Sequence, residues 1–159
     1  REEQQWIDRR WRWSFLEELV RMVLSNYPKY LAESRLKEKW LITMNHEQEE
    51  LARLQLKITM VQSWLSLLTT DERFVIQKHL VESIEWPRVS FLFAEMWKGE
   101  FTRTERTLLQ YQSNALEKIQ RFCLNHREMM RTIFDDLECT QESHTKDGTL
   151  LCTNDKMNN

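Results

Sequence analysis

Residues 51–68 read LARLQLKITMVQSWLSLL. Within them Leu51, Leu54, Ile58, Val61, Leu65 and Leu68 recur at alternating spacings of three and four, which lays one apolar stripe along an α-helix. Such a stripe has to be covered. The cover is either the preceding helices of the same chain, folded back as a hairpin or bundle, or a second copy in a homodimer through the 51–68 seam. The apolar faces of the segments before it favour the hairpin.

Working towards the N-terminus, residues 2–25 carry Trp6, Ile7, Phe15, Leu16, Leu19, Val20 and Val23 at helical spacing. Asn26-Tyr27-Pro28 reads as a stop, with Asn26 able to cap a next helix and Pro28 tolerated in its first turn. That second helix is expected to reach about Met44 through Leu31, Leu36, Trp40 and Leu41, and either Asn45 with Gln48 opens a third or the two run on as one.

Towards the C-terminus, Thr69 and Glu72 fit a capping box, in which hydroxyl and carboxylate each satisfy a free backbone N–H. The helix so begun holds Phe74, Val75, Ile76, Leu80 and Val81 and ends near Ser83-Ile84-Glu85. Trp86-Pro87 opens another, through Val89, Phe91, Leu92, Phe93, Met96 and Trp97, which Lys98-Gly99 closes with Gly99 as the left-handed residue. Thr102 with Glu105 forms a second capping box. The long helix that follows contains Leu108, Leu109, Tyr111, Ala115, Leu116, Ile119 and Phe122. The pattern continues, either unbroken or with a break near Asn125, through Met129, Met130, Ile133, Phe134 and Leu137. From Glu138 onward the chain is polar and reads as a mobile tail.

Composition supports an all-helical reading. The 159 residues include only two Gly and two Pro, where average usage gives about eleven and eight. A sandwich or barrel needs many positive-φ turns. Gly99 and Gly148 stand apart, which excludes Gly-rich phosphate loops. The net charge of −2 offers no global attraction to nucleic acid or anionic lipid. No apolar run approaches the roughly 20 residues of a membrane span and no signal-peptide h-region occurs. Cys123, Cys139 and Cys152 form no scaffold pattern, so reduced thiols and a cytoplasmic location are expected.

Catalytic chemistry finds little purchase. No H-E-x-x-H, G-x-S-x-G, C-x-x-C or D-x-D pattern occurs. Asp135 and Asp136 point about 100° apart on a helix and read as solvated surface. Four of Cys123, His126, Cys139, His144 and Cys152 would have to converge to hold zinc, and only Cys123 falls in an apolar pattern. His46 and His79 read as surface or half-buried residues. No enzyme, metal or cofactor is expected.

Binding is better represented. The stretch Leu68–Phe122 gives helix, short connection, helix, connection, longer helix, the order of a helix-turn-helix unit whose third helix enters the major groove. Arg suits guanine, Asn or Gln suits adenine, and Thr or Ser suits phosphate or a thymine methyl. The start of the long helix supplies such residues between its apolar positions. From Lys98 to Arg131 there are seven Lys or Arg against four acidic residues, a modest electrostatic footprint. The expected DNA contacts are Arg103, Arg106, Thr107, Gln110 and Asn114, with Arg88 and Lys98 on phosphates.

The segments Leu68–Ile76, Trp86-Pro87-Arg88-Val89, Arg106-Thr107-Leu108 and Asn114–Ile119 resemble region 4 of bacterial sigma factors. They are most similar to the sigma-like regulators of phages and prophages, such as the ArpU and RinA groups. The likeness covers about a third of the chain. It implies binding to double-stranded promoter DNA together with host RNA polymerase. Val89 and Leu108 lie 19 residues apart, more than the family's usual turn leaves, which lengthens the second helix or the turn around 97–101. Residues 1–67 do not resemble the promoter-melting parts of a full sigma factor.

The expected organisation is a helical hairpin or bundle over 1–68, a region 4-like helix-turn-helix domain over 69–137 and a polar tail over 138–159. The expected function is that of a DNA-binding transcription regulator. Two alternatives fit the same pattern: a DNA-packaging protein like phage small terminases, and a protein-only module that binds host polymerase.

Overall fold

The computed structural model describes residues 13–40, 48–98 and 103–135. Every element among them is helical and none is a strand. In chain order they are α1 (Trp13–Trp40), α2 (Gln48–Ser66), α3 (Thr70–Val75, continuing as Ile76–Val81), α4 (Trp86–Met96), α5 (Glu105–Asn125) and α6 (Arg127–Ile133). No helix among the described residues is long and apolar enough to cross a membrane. The expected tail from Glu138 lies outside the described residues, as do residues 2–12.

The stop expected at Asn26-Tyr27-Pro28 does not occur. α1 runs unbroken for 28 residues with Pro28 inside it. Pro28 has no N–H for the carbonyl one turn earlier, and an interior proline costs about 3 kcal/mol. Burial offsets that cost on both sides: Val20, Val23, Leu24, Tyr27, Tyr30 and Ser34 are all buried while Pro28 faces outward.

α2 lies antiparallel to α1. Lys37 Nζ meets Glu50 Oε2 at 2.6 Å near the open end of the hairpin, and farther in Lys57 Nζ sits 5.5 Å from the centre of the Tyr30 ring. The buried face of α2 is broader than the expected seam. Leu51, Leu54 and Val61 are buried as the spacing required, and so are Met60 and Trp64, whereas Ile58 and Leu65 are only partly covered. Trp64 has no exposed surface and its ring lies 5.9 Å from that of Phe134, just beyond α6. The seam is thus filled from within the chain, and a homodimer through it would have to displace these contacts.

The turn from α2 to α3 is held by side chains. Thr69 caps α3, its hydroxyl accepting from the Glu72 N–H at 3.3 Å. The reciprocal half of the expected capping box is not made. The Glu72 carboxylate, buried, instead accepts from Lys118 Nζ at 2.7 and 3.0 Å. Arg73 turns back to donate to the carbonyls of Leu65 (3.0 Å) and Leu68 (3.3 Å), satisfying the open end of α2.

From Ile76 to Val81 the coil of α3 widens to π geometry. Bonding to the fifth residue brings positions five apart onto one side, and Ile76 and Val81 are both buried in the core. Ser83 ends the helix at φ 57°, and the Ile84 N–H reaches the Lys78 carbonyl at 3.0 Å. His79 is half-buried. Its Nδ1–H donates to the Ile84 carbonyl at 2.9 Å and its ring stacks on Trp86 at 3.8 Å, which ties the end of α3 to the start of α4.

Two clusters of buried side chains hold the helices. The larger draws Leu16 to Tyr30 from α1, Leu54 to Leu68, Ile76 and Val81 from α3, Ala115 to Cys123 from α5, and Met130 and Phe134. The smaller consists of Val75, Val89, Phe93 and Leu108, flanked by Phe74, Ile84, Trp86 and Tyr111. The boundary expected at 68/69 is a turn in the chain, and the larger core runs across it. Gln120, buried, adds a polar tie over the same junction by donating to the Trp13 carbonyl at 2.8 Å. Burial pushes the Cys123 thiol up to about 12. The break near Asn125 is present, with His126 in the gap between α5 and α6.

Candidate nucleic-acid interface

The small cluster packs α3, α4 and α5 against one another. α4 begins as its sequence suggests, with Glu85 at the cap and Pro87 in the first turn. Its end differs from expectation. Lys98 takes the left-handed conformation at φ 53°, and Gly99 lies outside the described residues. A side chain at such φ costs roughly 1–2 kcal/mol, so Lys98 is held there by its surroundings. Its N–H bonds the Glu95 carbonyl at 3.1 Å.

α5 starts later than the Thr102/Glu105 box would have it. The cap is Thr104, whose hydroxyl accepts from the Thr107 N–H at 3.3 Å and lies 3.1 Å from the Thr107 hydroxyl. Thr102 is outside the described residues. Arg103 therefore precedes the helix rather than opening it. Its carbonyl accepts from Ser90 Oγ of α4 at 3.4 Å, which joins the second and third helices of the unit. Arg103 also lines a small cavity of about 130 Å³ with Asp71, Phe93 and Trp97.

Buried Leu108, Gln112, Ala115, Leu116, Ile119 and Cys123 define the inward face of α5. Arg106, Gln110 and Asn114 follow one another at one-turn spacing on the outward face, all exposed. Arg106 makes no ion pair among the described residues, whereas Gln110 Nε2 donates to Asn114 Oδ1 at 2.9 Å. Thr107 is half-buried and engaged with Thr104, so its part is to start the helix before any contact with a ligand. Leu109, expected inside, is 44% exposed beside the same face.

Arg88 and Lys98 are exposed at opposite ends of α4, with the Arg88 guanidinium 5.0 Å from the centre of the Phe91 ring. Pairing within the fold reduces the positive footprint read from the sequence. Lys118 is committed to Glu72, and Arg121 Nη2 meets Glu117 Oε1 at 2.6 Å. Exposed Glu105 adds a negative charge at the start of α5. Arg88, Lys98 and Arg106 remain exposed around α4 and the start of α5, with Arg127 and Arg131 exposed farther along on α6.

Two features of the unit were not foreseen: the Lys118–Glu72 pair and the Ser90–Arg103 link. The first joins residues 46 positions apart and the second residues 13 apart, separations that helical periodicity does not address. Among the described residues no group of three or more His, Cys, Asp or Glu side chains could hold a metal ion. No known protein family, curated protein or solved structure matches this chain.

Proposed function

We propose that the chain is a DNA-binding transcription regulator that presents the start of α5 to the major groove. On the sigma region 4 resemblance, it acts with host RNA polymerase at phage or prophage promoters. The observation that carries the reading is the exposed row Arg106, Gln110 and Asn114 at the start of the third helix, with Arg88, Lys98 and Arg103 exposed on and beside α4. These residue types complement base edges and phosphates respectively.

Electrophoretic mobility shift with a promoter library tests it. With about three to five phosphates neutralised, the slope of log K against log salt is expected between about −2.7 and −4.5. Arg106→Ala weakens specific binding while circular dichroism stays helical. Absence of any salt-dependent binding to duplex DNA rejects the reading. The protein-only alternative is favoured by Phe91, Met96 and Trp97, which α4 and its end leave exposed. Polymerase capture without a DNA footprint would select it.

A further inference from the structure

The Gln110–Asn114 bond says more about the site than exposure does. A glutamine amide carries two N–H donors and one carbonyl acceptor. One N–H of Gln110 is given to Asn114 Oδ1 at 2.9 Å. In this arrangement the second N–H and Oε1 remain for a ligand, and the Gln110 amide can turn over only if the Asn114 amide turns with it. A donor beside an acceptor matches the major-groove edge of adenine, which offers N7 as acceptor and N6–H as donor. Guanine offers two acceptors, so Oε1 would face O6 with no proton between them. Arg106, a fork of donors only, is the complement of guanine.

Spacing links the two. Arg106 and Gln110 are four residues apart, about 6 Å along the helix, against a rise of about 3.4 Å per base pair. We propose that the outward face of α5 reads a guanine and an adenine within two base-pair steps of each other. Arg106 specifies the guanine, Gln110 specifies the adenine, and Asn114 is a positioning residue that orients the Gln110 amide. The assignment rests on the DNA-binding reading above.

Selection from a random duplex pool by the full chain tests it, in parallel with Gln110→Ala, Asn114→Ala and Arg106→Ala. The natural sequence enriches guanine and adenine within two steps. Gln110→Ala loses the adenine preference by about tenfold and keeps the guanine, consistent with the loss of one bidentate contact. Arg106→Ala does the reverse. Asn114→Ala weakens the adenine preference, because the Gln110 amide is then free to rotate, and does not replace it with guanine. A motif without the adenine, or one that Gln110→Ala or Asn114→Ala leaves unchanged, overturns the assignment and leaves DNA binding standing. Failure of the natural sequence to bind any duplex in a salt-dependent way removes both.

Discussion

The two halves of α5 share one helix and live in different surroundings. Residues 115–123 are set into the large core between α1, α2 and α6, with Gln120 tied to α1 and Lys118 to α3. Residues 105–114 rest on a small cluster through Leu108 and Tyr111 and turn a polar face outward. The embedded half fixes the direction of the helix, and the exposed half is free to carry side chains chosen for contact rather than packing. The proposed binding face, on the continuation of a buried helix, is thus held by a core it does not belong to.

That contrast can be broken most severely at its base. Trp64→Ala leaves a cavity against Phe134 under the embedded half, and a loss of about 3–5 kcal/mol in urea denaturation is expected. Leu108→Ala acts on the exposed half and costs about 2–4 kcal/mol. Its signature is local, because amide exchange should accelerate in α4 while α1 and α2 stay protected. Glu72→Gln removes the carboxylate that joins α3 to α5. A double-mutant cycle with Lys118→Met should give a coupling of about 1–2 kcal/mol.

Cys123 offers a sharper and smaller probe of the embedded half. Its thiol is pushed from an ordinary 9.0 to about 12 by burial. The protonated form is therefore favoured in the folded chain. That contribution is complete below pH 9 and is lost as pH rises towards about 12, where unfolding releases a proton. Comparing alkaline denaturation with Cys123→Ala should show the natural sequence falling more steeply through this window. The smallest effect belongs to the far end of the hairpin. The Lys37 ammonium hydrogen-bonded to Glu50 holds that carboxyl below its ordinary 4.5. Its contribution is present above that value and lost as pH falls below it, so Lys37→Met should slightly flatten the acid limb of the stability curve. The pair is exposed, and the change should be detectable only as a difference between the two curves.

The helical architecture was legible because repeat spacing and Gly scarcity both pointed to it. The continuity of α1 was legible too, and was masked by punctuation. Leu16, Val20, Val23, Tyr27, Tyr30 and Ser34 follow the same alternation of four and three straight through Pro28. A local breaker lost to a stripe that packs on both sides of it. Trp64 was missed for the opposite reason: the heptad seam describes one partner helix, and α2 has cover from both α1 and α6. On the candidate site, exposure of Arg106, Gln110 and Asn114 follows from their place between apolar positions. The helix start did not follow, because Thr102 and Thr104 both suit a cap and tertiary contacts choose between them. Glu72 had two possible partners, and the sequence shows only the local one.

The large core also imposes an order on synthesis. α1 and α2 leave the ribosome first, with Trp64 and Leu68 destined for neighbours that do not yet exist. Residues 115–134 follow at roughly 5–20 residues per second, so these side chains wait several seconds for their cover. During that interval the nascent hairpin exposes the apolar surface that chaperones recognise, and a transcript cut short after Leu68 would yield a chain held in that state.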